Sequence, residues 1–146
     1  NRFEEKELKE FSILFLIINN IKIFQKNIEF VSEIKFDHEL KDELLHKIIQ
    51  YLVSEKANEK MILDTQDLDE RFSKLINTIK AYAPVKIISR NKNEEDILTM
   101  IREFMIDINK LKLQKRIESL EQKVSVNLDE KQYTELLSLR NQLKSG

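Results

Sequence analysis

The sequence contains no cysteine, one proline (Pro84) and one glycine (Gly146). The absence of cysteine excludes disulfides, thiolate zinc sites and a cysteine nucleophile. Because helix-breaking residues are so rare, the composition favours an all-α protein. A chain with one glycine also cannot build most glycine-rich phosphate loops or nucleophile elbows. Catalysis by this chain alone is therefore not expected.

The chain also lacks an excess of charge of either sign and a long hydrophobic run. Its 25 basic and 26 acidic residues give a formal net charge of -1, so no global field draws it to nucleic acid or membrane. The longest apolar run, residues 11–18, is far shorter than the roughly 20 residues that a membrane span needs. We therefore expect a cytoplasmic protein. The chain begins with Asn rather than Met, so we also expect a piece of a longer protein.

Apolar periodicity and capping residues predict six helices. Asn19 and Asn20 end the first helix, and Pro84 ends the fourth. The N-cap candidates for later helices are Asp37, Asp64, Asn93 and Asp129. The first helix is apolar on every side in its middle, which is typical of a central, buried helix. The six predicted helices cover residues 3–20, 23–32, 37–55, 65–83, 93–124 and 129–144.

The apolar stripe of the helix over 93–124 changes face partway along. It follows one side of the helix as far as Leu111 and resumes at Leu113, a step of about 200° at 3.6 residues per turn. The two halves of this helix then pack against two different apolar cores. We predict a helical bundle subdomain over 1–111 and a C-terminal helical hairpin subdomain over 112–146. The expected fold is all-α, a bundle followed by a protruding hairpin that share one long helix.

The last helix has more apolar surface than one neighbouring helix can cover. The stripe on the preceding helix spans about 60°, whereas the apolar residues of the last helix spread over about 160°. This surplus predicts a second partner: the bundle, another protein, or self-association through the hairpin. The apolar residues of the last helix are Tyr133, Leu136, Leu137, Leu139 and Leu143.

Two other groups of residues have side chains that can bind ions. His38 and His46 are eight positions apart, whereas a helical metal site needs two ligands three or four positions apart and a third ligand, so no metal site is expected. A basic stretch without acids surrounds Pro84, and it is either a solvated loop or a small anion-binding surface. Its residues are Lys80, Lys86, Arg90 and Lys92.

Two segments carry a resemblance to a known family. The C-terminal run LDEKQYTELLSLRNQLKSG, preceded by KLKLQKRIESLEQK, resembles the extreme C-terminus of bacterial DnaG-type primases. The first helix, ELKEFSILFLIINN, looks like the buried first helix of the same helicase-binding domain. Two positions depart from the family pattern. The usual proline after the asparagine is Asn20 here, and the basic residue before the apolar run is Phe11.

The resemblance implies a non-catalytic domain of a DNA primase, a DNA-directed RNA polymerase of the nucleotidyltransferase class. Such a domain binds the N-terminal region of the replicative DnaB-type helicase and couples priming to unwinding at the bacterial replication fork, in the primosome. It holds no cofactor. The implied helicase-facing residues are Tyr133, Leu137, Leu139, Arg140, Asn141 and Lys144.

The resemblance also implies a second partner, the acidic C-terminal tail of single-stranded DNA-binding protein. Relatives hold this tail in a basic pocket, for which Lys9, Lys80, Lys86 and Arg90 are the candidates here. Two other functions stay open. One is a helical nucleic-acid-binding domain using residues 80–92 and 110–123, although the near-neutral charge and the lack of an aromatic stacking platform count against it. The other is a helicase N-terminal-like domain of the same fold.

Overall fold

The computed structural model describes residues 3–54, 69–85, 90–127 and 129–145. Helices occupy most of these ranges, which contain no strand, and the all-α prediction is confirmed: a helical bundle is followed by a helical hairpin, and one long helix belongs to both. No helix in the described ranges combines the length and the hydrophobicity needed to cross a membrane. The helices are α1 (Glu5–Ile18), α2 (Ile21–Lys26), α3 (Ile28–Ser32), α4 (Glu39–Leu52), α5 (Glu70–Tyr82), α6 (Glu94–Val126) and α7 (Glu130–Ser145).

The chain divides into two compact units, residues 1–104 and 105–146. The first unit contains α1 to α5 and the beginning of α6, and the second contains the rest of α6 and α7. The subdomain boundary expected after residue 111 lies in the same helix and stays a prediction.

Helix α1 is the centre of the first unit. It packs against α2 and α5, and its middle is buried on all sides, as its uniformly apolar sequence predicts. At its start, the ring of Phe3 meets the rings of Phe11 and Tyr82 edge-on, at 5.1 and 5.0 Å between centroids. The buried apolar residues of α1 are Phe11, Ile13, Leu14, Leu16, Ile17 and Ile18.

The two asparagines after α1 end it, as predicted. The side-chain amide of Asn19 donates to the carbonyl of Phe15, and that of Asn20 donates to the carbonyl of Leu16, each at 2.8 Å. Both carbonyls belong to the last turn of the helix, and that of Phe15 also accepts from the backbone N–H of Asn19 at 3.0 Å. The pair therefore satisfies the end of α1 and turns the chain into α2.

The single helix predicted over 23–32 is wrong, because two short helices stand there. They are separated at Asn27, whose φ of -125° and ψ of 45° are not helical. The Asn27 side chain donates to the carbonyl of Ile23 at 2.7 Å. Asparagine competes with the helical backbone through local hydrogen bonds of this kind, and apolar spacing alone does not reveal the competition.

The prediction that Asp37 caps α4 is also wrong. The N-cap residue is His38, which makes no side-chain capping hydrogen bond. Instead, Asp42 reaches back from within α4 and accepts from the backbone N–H of Phe36 at 3.3 Å. The carboxylate of Asp37 faces Lys6 of α1 at 3.5 Å. The carboxylate of Asp42, one turn into the helix, thus ties the chain before α4 to the helix without capping its first turn.

Helix α4 ends at Leu52, earlier than the predicted residue 55. Val53 is its C-cap residue, and its N–H still bonds to the carbonyl of Ile49 at 3.1 Å. Residue 55 itself, the cap predicted at Asp64 and the predicted helix start at Thr65 lie outside the described residues.

Helix α5 is capped by Asp69, whose carboxylate accepts from the backbone N–H of Arg71 at 2.9 Å. This hydrogen bond, with a smaller effect of the Arg71 side chain, lowers the pKa of Asp69 below its ordinary value of 3.8. Because the pKa of Asp69 is lowered, the capping carboxylate stabilises the folded helix at any pH above the ordinary pKa of the group. This stabilisation is lost as the pH falls through the lowered pKa. At the other end, α5 stops at Tyr82, and Ala83 is extended with ψ 116°. This is the conformation that Pro84 imposes on the residue before it.

Asn93 caps the long helix α6, as predicted. Its side-chain oxygen accepts from the backbone N–H of Asp96 at 2.8 Å. We expect Asn93→Ala to lower the free energy of unfolding by about 1 kcal/mol, because an N–H at the helix start loses its partner. Urea unfolding followed by circular dichroism measures this. Asn93→Asp keeps the acceptor and serves as the control, and an equal loss in both variants would contradict the capping role.

The buried side of α6 changes along its length. Ile97, Ile101 and Ile108 are buried in its first half, and Ile117 and Leu120 in its second. Nine residues separate Ile108 from Ile117, which is two and a half turns of helix, so the two side chains leave opposite sides of it. The second buried side is the one that faces α7.

Candidate functional site

The second unit is a hairpin of two helices around a small apolar core. Ile117, Leu120 and Leu136 are buried between the end of α6 and α7. Leu120 is fully buried, and Leu136 is 2% exposed. Around them pack the partly buried side chains of Val124, Leu139 and Leu143. The stripe predicted on the second half of α6 therefore meets one side of α7.

Two arginine–glutamate pairs flank this core. Arg116 of α6 donates to both carboxylate oxygens of Glu135 at 3.0 and 3.3 Å, and Arg140 of α7 donates to Glu121 at 3.0 Å. The paired residues are five positions apart on each helix, about 140° of turn, so the pairs lie on opposite flanks of the core. All four side chains are 44 to 47% exposed. Exposed pairs contribute about 0.2–1 kcal/mol each, so the apolar core contributes most of the hairpin's stability.

Asp129 fixes where α7 begins. Its carboxylate accepts from the backbone N–H groups of Lys131 and Gln132, at 2.9 and 3.3 Å. This is the capping expected from the sequence at this position. The first turn of α7 is therefore set before the helix reaches its apolar residues.

One side of α7 is left open to solvent, and most of the helicase-facing residues implied by the resemblance lie there. Tyr133 is 45% exposed and Leu137 is 43% exposed. At 100° per residue, Tyr133, Leu137 and three further candidates lie within an arc of about 100° around the helix axis. All five are exposed: Tyr133, Leu137, Arg140, Asn141 and Lys144. We call these five residues the α7 face.

Leu139, the sixth candidate, lies apart from the α7 face. It is partly buried and packs against the hairpin core beside Leu136. In the sequence, Leu137 and Leu139 are equivalent apolar residues of the last helix. Only the position of α6 shows that Leu139 is covered and Leu137 is exposed. A substitution of Leu139 disturbs the hairpin as well as any docking surface, whereas a substitution of Leu137 does not touch the core.

The candidates for an acidic-tail site are spread over three segments. Lys9 lies on α1, 3.8 Å from Glu5 and with its ammonium 5.8 Å from the ring centroid of Phe104. Lys80 is half-buried in the last turn of α5, and Arg90 is exposed in the loop before α6. Lys86 lies outside the described residues. Binding of the tail of single-stranded DNA-binding protein stays a prediction.

A buried ionic cluster that was not predicted from the sequence joins α1 to α4. The ammonium of Lys41 lies 3.0 Å from Glu10 and 3.3 Å from Glu7. Lys41 and Glu10 are 4% and 3% exposed. The signal was present, because Lys41 stands three and seven residues before the buried Leu44 and Ile48, on the same side of the helix. The cluster pairs its charges internally, so neither buried charge is left without a partner.

Within the described ranges, no three His, Asp or Glu side chains come together as a metal site. His46 is exposed, and its Nδ1 lies 2.8 Å from the carbonyl of Asp42 in its own helix. Comparisons with protein-family models, with curated proteins and with solved structures found no match.

Proposed function

We propose that this chain is a non-catalytic interaction domain of a bacterial primase. It binds the N-terminal region of a replicative DnaB-type helicase through the α7 face and couples priming to unwinding. The observation that carries the proposal is the exposure of Tyr133 and Leu137 on a helix whose other side is buried against α6. The resemblance of the C-terminal segment to DnaG-type primases supplies the identity of the partner.

The α7 face has the composition of a docking helix. Tyrosine and arginine are enriched among the residues that contribute most to protein interfaces. Here Tyr133 and Leu137 supply the apolar centre, and Arg140, Asn141 and Lys144 supply a polar and basic edge. A helix of this kind binds by laying its apolar residues into a groove. We therefore infer that the helicase surface has an apolar groove with acidic groups beside it.

The hairpin presents this face in a fixed orientation. The core around Leu136 holds α7 from behind, and the ion pair between Arg140 and Glu121 ties one edge of the face to α6. A helix that is already formed and packed loses less conformational entropy on binding than a free segment does. Affinity for the helicase should therefore depend on an intact hairpin as well as on the α7 face.

The direct test is Leu137→Asp, measured by titration of the chain against the helicase N-terminal region. We expect affinity to fall about 30-fold or more, the effect of losing a central interface residue worth about 2 kcal/mol. Ser138→Asp is the matched control. It places the same carboxylate at the neighbouring exposed position, about 100° around the helix. The control should bind like the unsubstituted chain.

Two outcomes would refute the proposal: no measurable binding by the unsubstituted chain, or an equal loss in Leu137→Asp and Ser138→Asp. Both variants should keep the helical circular dichroism of the parent, because neither side chain belongs to the hairpin core. Tyr133→Ala provides a second test of the same face and should also weaken binding.

A further inference from the structure

The hairpin separates its charges between its two flanks. Lys112 and Lys123 lie on nearly the same side of α6 as Arg116, four residues before it and seven after it. Lys131 precedes Glu135 by one turn on the same side of α7. On this flank Arg116 binds the carboxylate of Glu135, and at its edge Glu118 lies one turn of α6 after Lys115. We call this the basic flank, and its cationic residues are Lys112, Lys115, Arg116, Lys123 and Lys131.

On the opposite flank, acidic and basic side chains are nearly equal in number. Asp107, Glu118 and Glu121 lie there on α6, and Glu130 lies there on α7. Lys110, Arg140 and Lys144 compensate for most of that charge. The near-zero net charge of the whole chain therefore conceals a local concentration of positive charge on one side of the hairpin. A local patch of this kind attracts anionic partners even when the net charge does not.

The lysines of the basic flank form a row. Lys112, Lys115, Ser119 and Lys123 follow one another at spacings of three, four and four residues, which keeps them within about 80° of the helix circumference. From Lys112 to Lys123 the row is about 16 Å long at 1.5 Å per residue. Lys112 is half-buried, and Lys115 and Lys123 are exposed. Such a row matches an extended partner with regularly repeated negative charge.

A shallow cleft of about 470 Å³, open to solvent, lies at the end of this row. Its polar side chains are an ammonium, three amides and a hydroxyl, all able to donate hydrogen bonds to phosphate or sugar oxygens. The cleft is lined by Ser119, Gln122, Lys123, Val126, Asn127 and Gln132. Charge and hydrogen-bond donors therefore meet on the same flank.

We propose that the basic flank binds the phosphodiester backbone of a nucleic acid. An acidic protein is the less fitting partner, because protein interfaces are depleted of lysine and centred on apolar anchors. Val126 is the one large exposed apolar residue on this flank among the described residues. Interfaces with nucleic acid are polar and strongly basic, as this flank is. The proposal requires the charges of Lys112 and Lys115, whatever contacts these side chains already make.

The α7 face and the basic flank occupy different sides of the hairpin. Leu137 lies on the same side of α7 as Arg140, whereas Lys131 lies on the side of Glu135. One hairpin can therefore hold a protein and a nucleic acid at the same time. Because the two sites have no residue in common, a substitution in one site should leave binding at the other unchanged.

The experiment measures fluorescence anisotropy of the whole chain with a labelled oligothymidylate and with a labelled mixed-sequence duplex of equal length. Substituting Lys112, Lys115 and Lys123 together by Gln should weaken binding about tenfold or more at low salt. It should also lower the slope of log affinity against log salt by about 2 to 3, since each of the three lost phosphate contacts contributes roughly 0.7–0.9. The preferred probe shows whether the bound backbone is single- or double-stranded.

The matched control replaces Lys22, Lys26 and Lys47 by Gln, an equal change of charge at exposed positions in the first unit. It should bind almost as well as the parent. The proposal is overturned if the parent does not bind either probe at low salt, if the control loses as much affinity, or if polyglutamate of equal charge competes as well as the oligonucleotide. Leu137→Asp should bind both probes normally, so failure here is distinguishable from failure at the α7 face.

Discussion

Lys41→Met should destabilise the first unit by about 3–5 kcal/mol, because it leaves the buried carboxylate of Glu10 without a partner. Lys41 and Glu10 are only 5% and 4% exposed at their side chains, and their charged atoms are 3.0 Å apart. Water cannot replace the lost ammonium at Glu10. Glu7, at 37% exposed, is nearer to solvent and suffers less. The expected result is a clear fall in the urea midpoint measured by circular dichroism.

A double variant distinguishes two causes of lost stability: the absence of the ion pair itself, and the burial of one charge without its partner. Lys41→Met combined with Glu10→Leu removes both charges and keeps apolar volume between α1 and α4. Replacing a whole buried pair in this way is often neutral or stabilising, so most of the stability should return. If the double variant is as unstable as Lys41→Met alone, the cation–π contact of the Lys41 ammonium with the Phe11 ring, 5.2 Å from its centroid, is the main contribution instead.

Lys74→Met is the matched control. Its ammonium lies 3.4 Å from Glu70, a distance similar to that in the buried pair, but the two side chains are 77% and 81% exposed. Solvent screens such a pair, and the expected loss is below about 0.5 kcal/mol. Similar losses in Lys41→Met and Lys74→Met would contradict the role assigned to burial.

The parts of the fold that the sequence predicted are those governed by local rules. The uniformly apolar middle of α1 indicated a central helix, and the caps at Asn93 and Asp129 set the starts of α6 and α7. The extended residue before Pro84 is imposed by the proline ring itself. In each case the physical cause lies within a few residues of its effect.

The predictions that were wrong concern competition between local signals. Asp37 and Asp42 are both able to supply an oxygen near the start of α4, and the contact of Asp37 with Lys6 is made only in the folded bundle. At Asn27 the apolar spacing was continuous, but the amide side chain competed with the helical backbone. Periodicity records which side chains are apolar, and it does not record such competition.

The candidate site was predictable in part. The excess apolar arc of α7 indicated that some apolar residues would stay uncovered, and Tyr133 and Leu137 are indeed exposed. The sequence could not show which residues α6 covers, because this depends on the rotation of α7 about its axis. The buried pair of Lys41 and Glu10 likewise depends on how closely α4 packs against α1, because the two residues are 31 positions apart in the sequence.

Leu136→Ala should unfold or nearly unfold the hairpin. Leu136 is one of three fully packed residues of its core, and truncating a buried leucine costs about 2–5 kcal/mol. Few other contacts compensate, since the two flanking ion pairs are exposed. Amide hydrogen exchange of α7 should accelerate strongly in this variant, while that of α1 and α4 should stay unchanged.

Leu137→Ala is the control for the same measurement, because it makes the same chemical change one residue away on the exposed side of α7. Its exchange rates should stay near those of the parent. The two variants also separate the two ways of losing helicase binding: Leu137→Ala removes an interface contact from a folded hairpin, whereas Leu136→Ala removes the hairpin that orients the α7 face. Equal protection of α7 in both variants would show that the core around Leu136 does not hold α7 in place, and the docking helix would then have to order on binding.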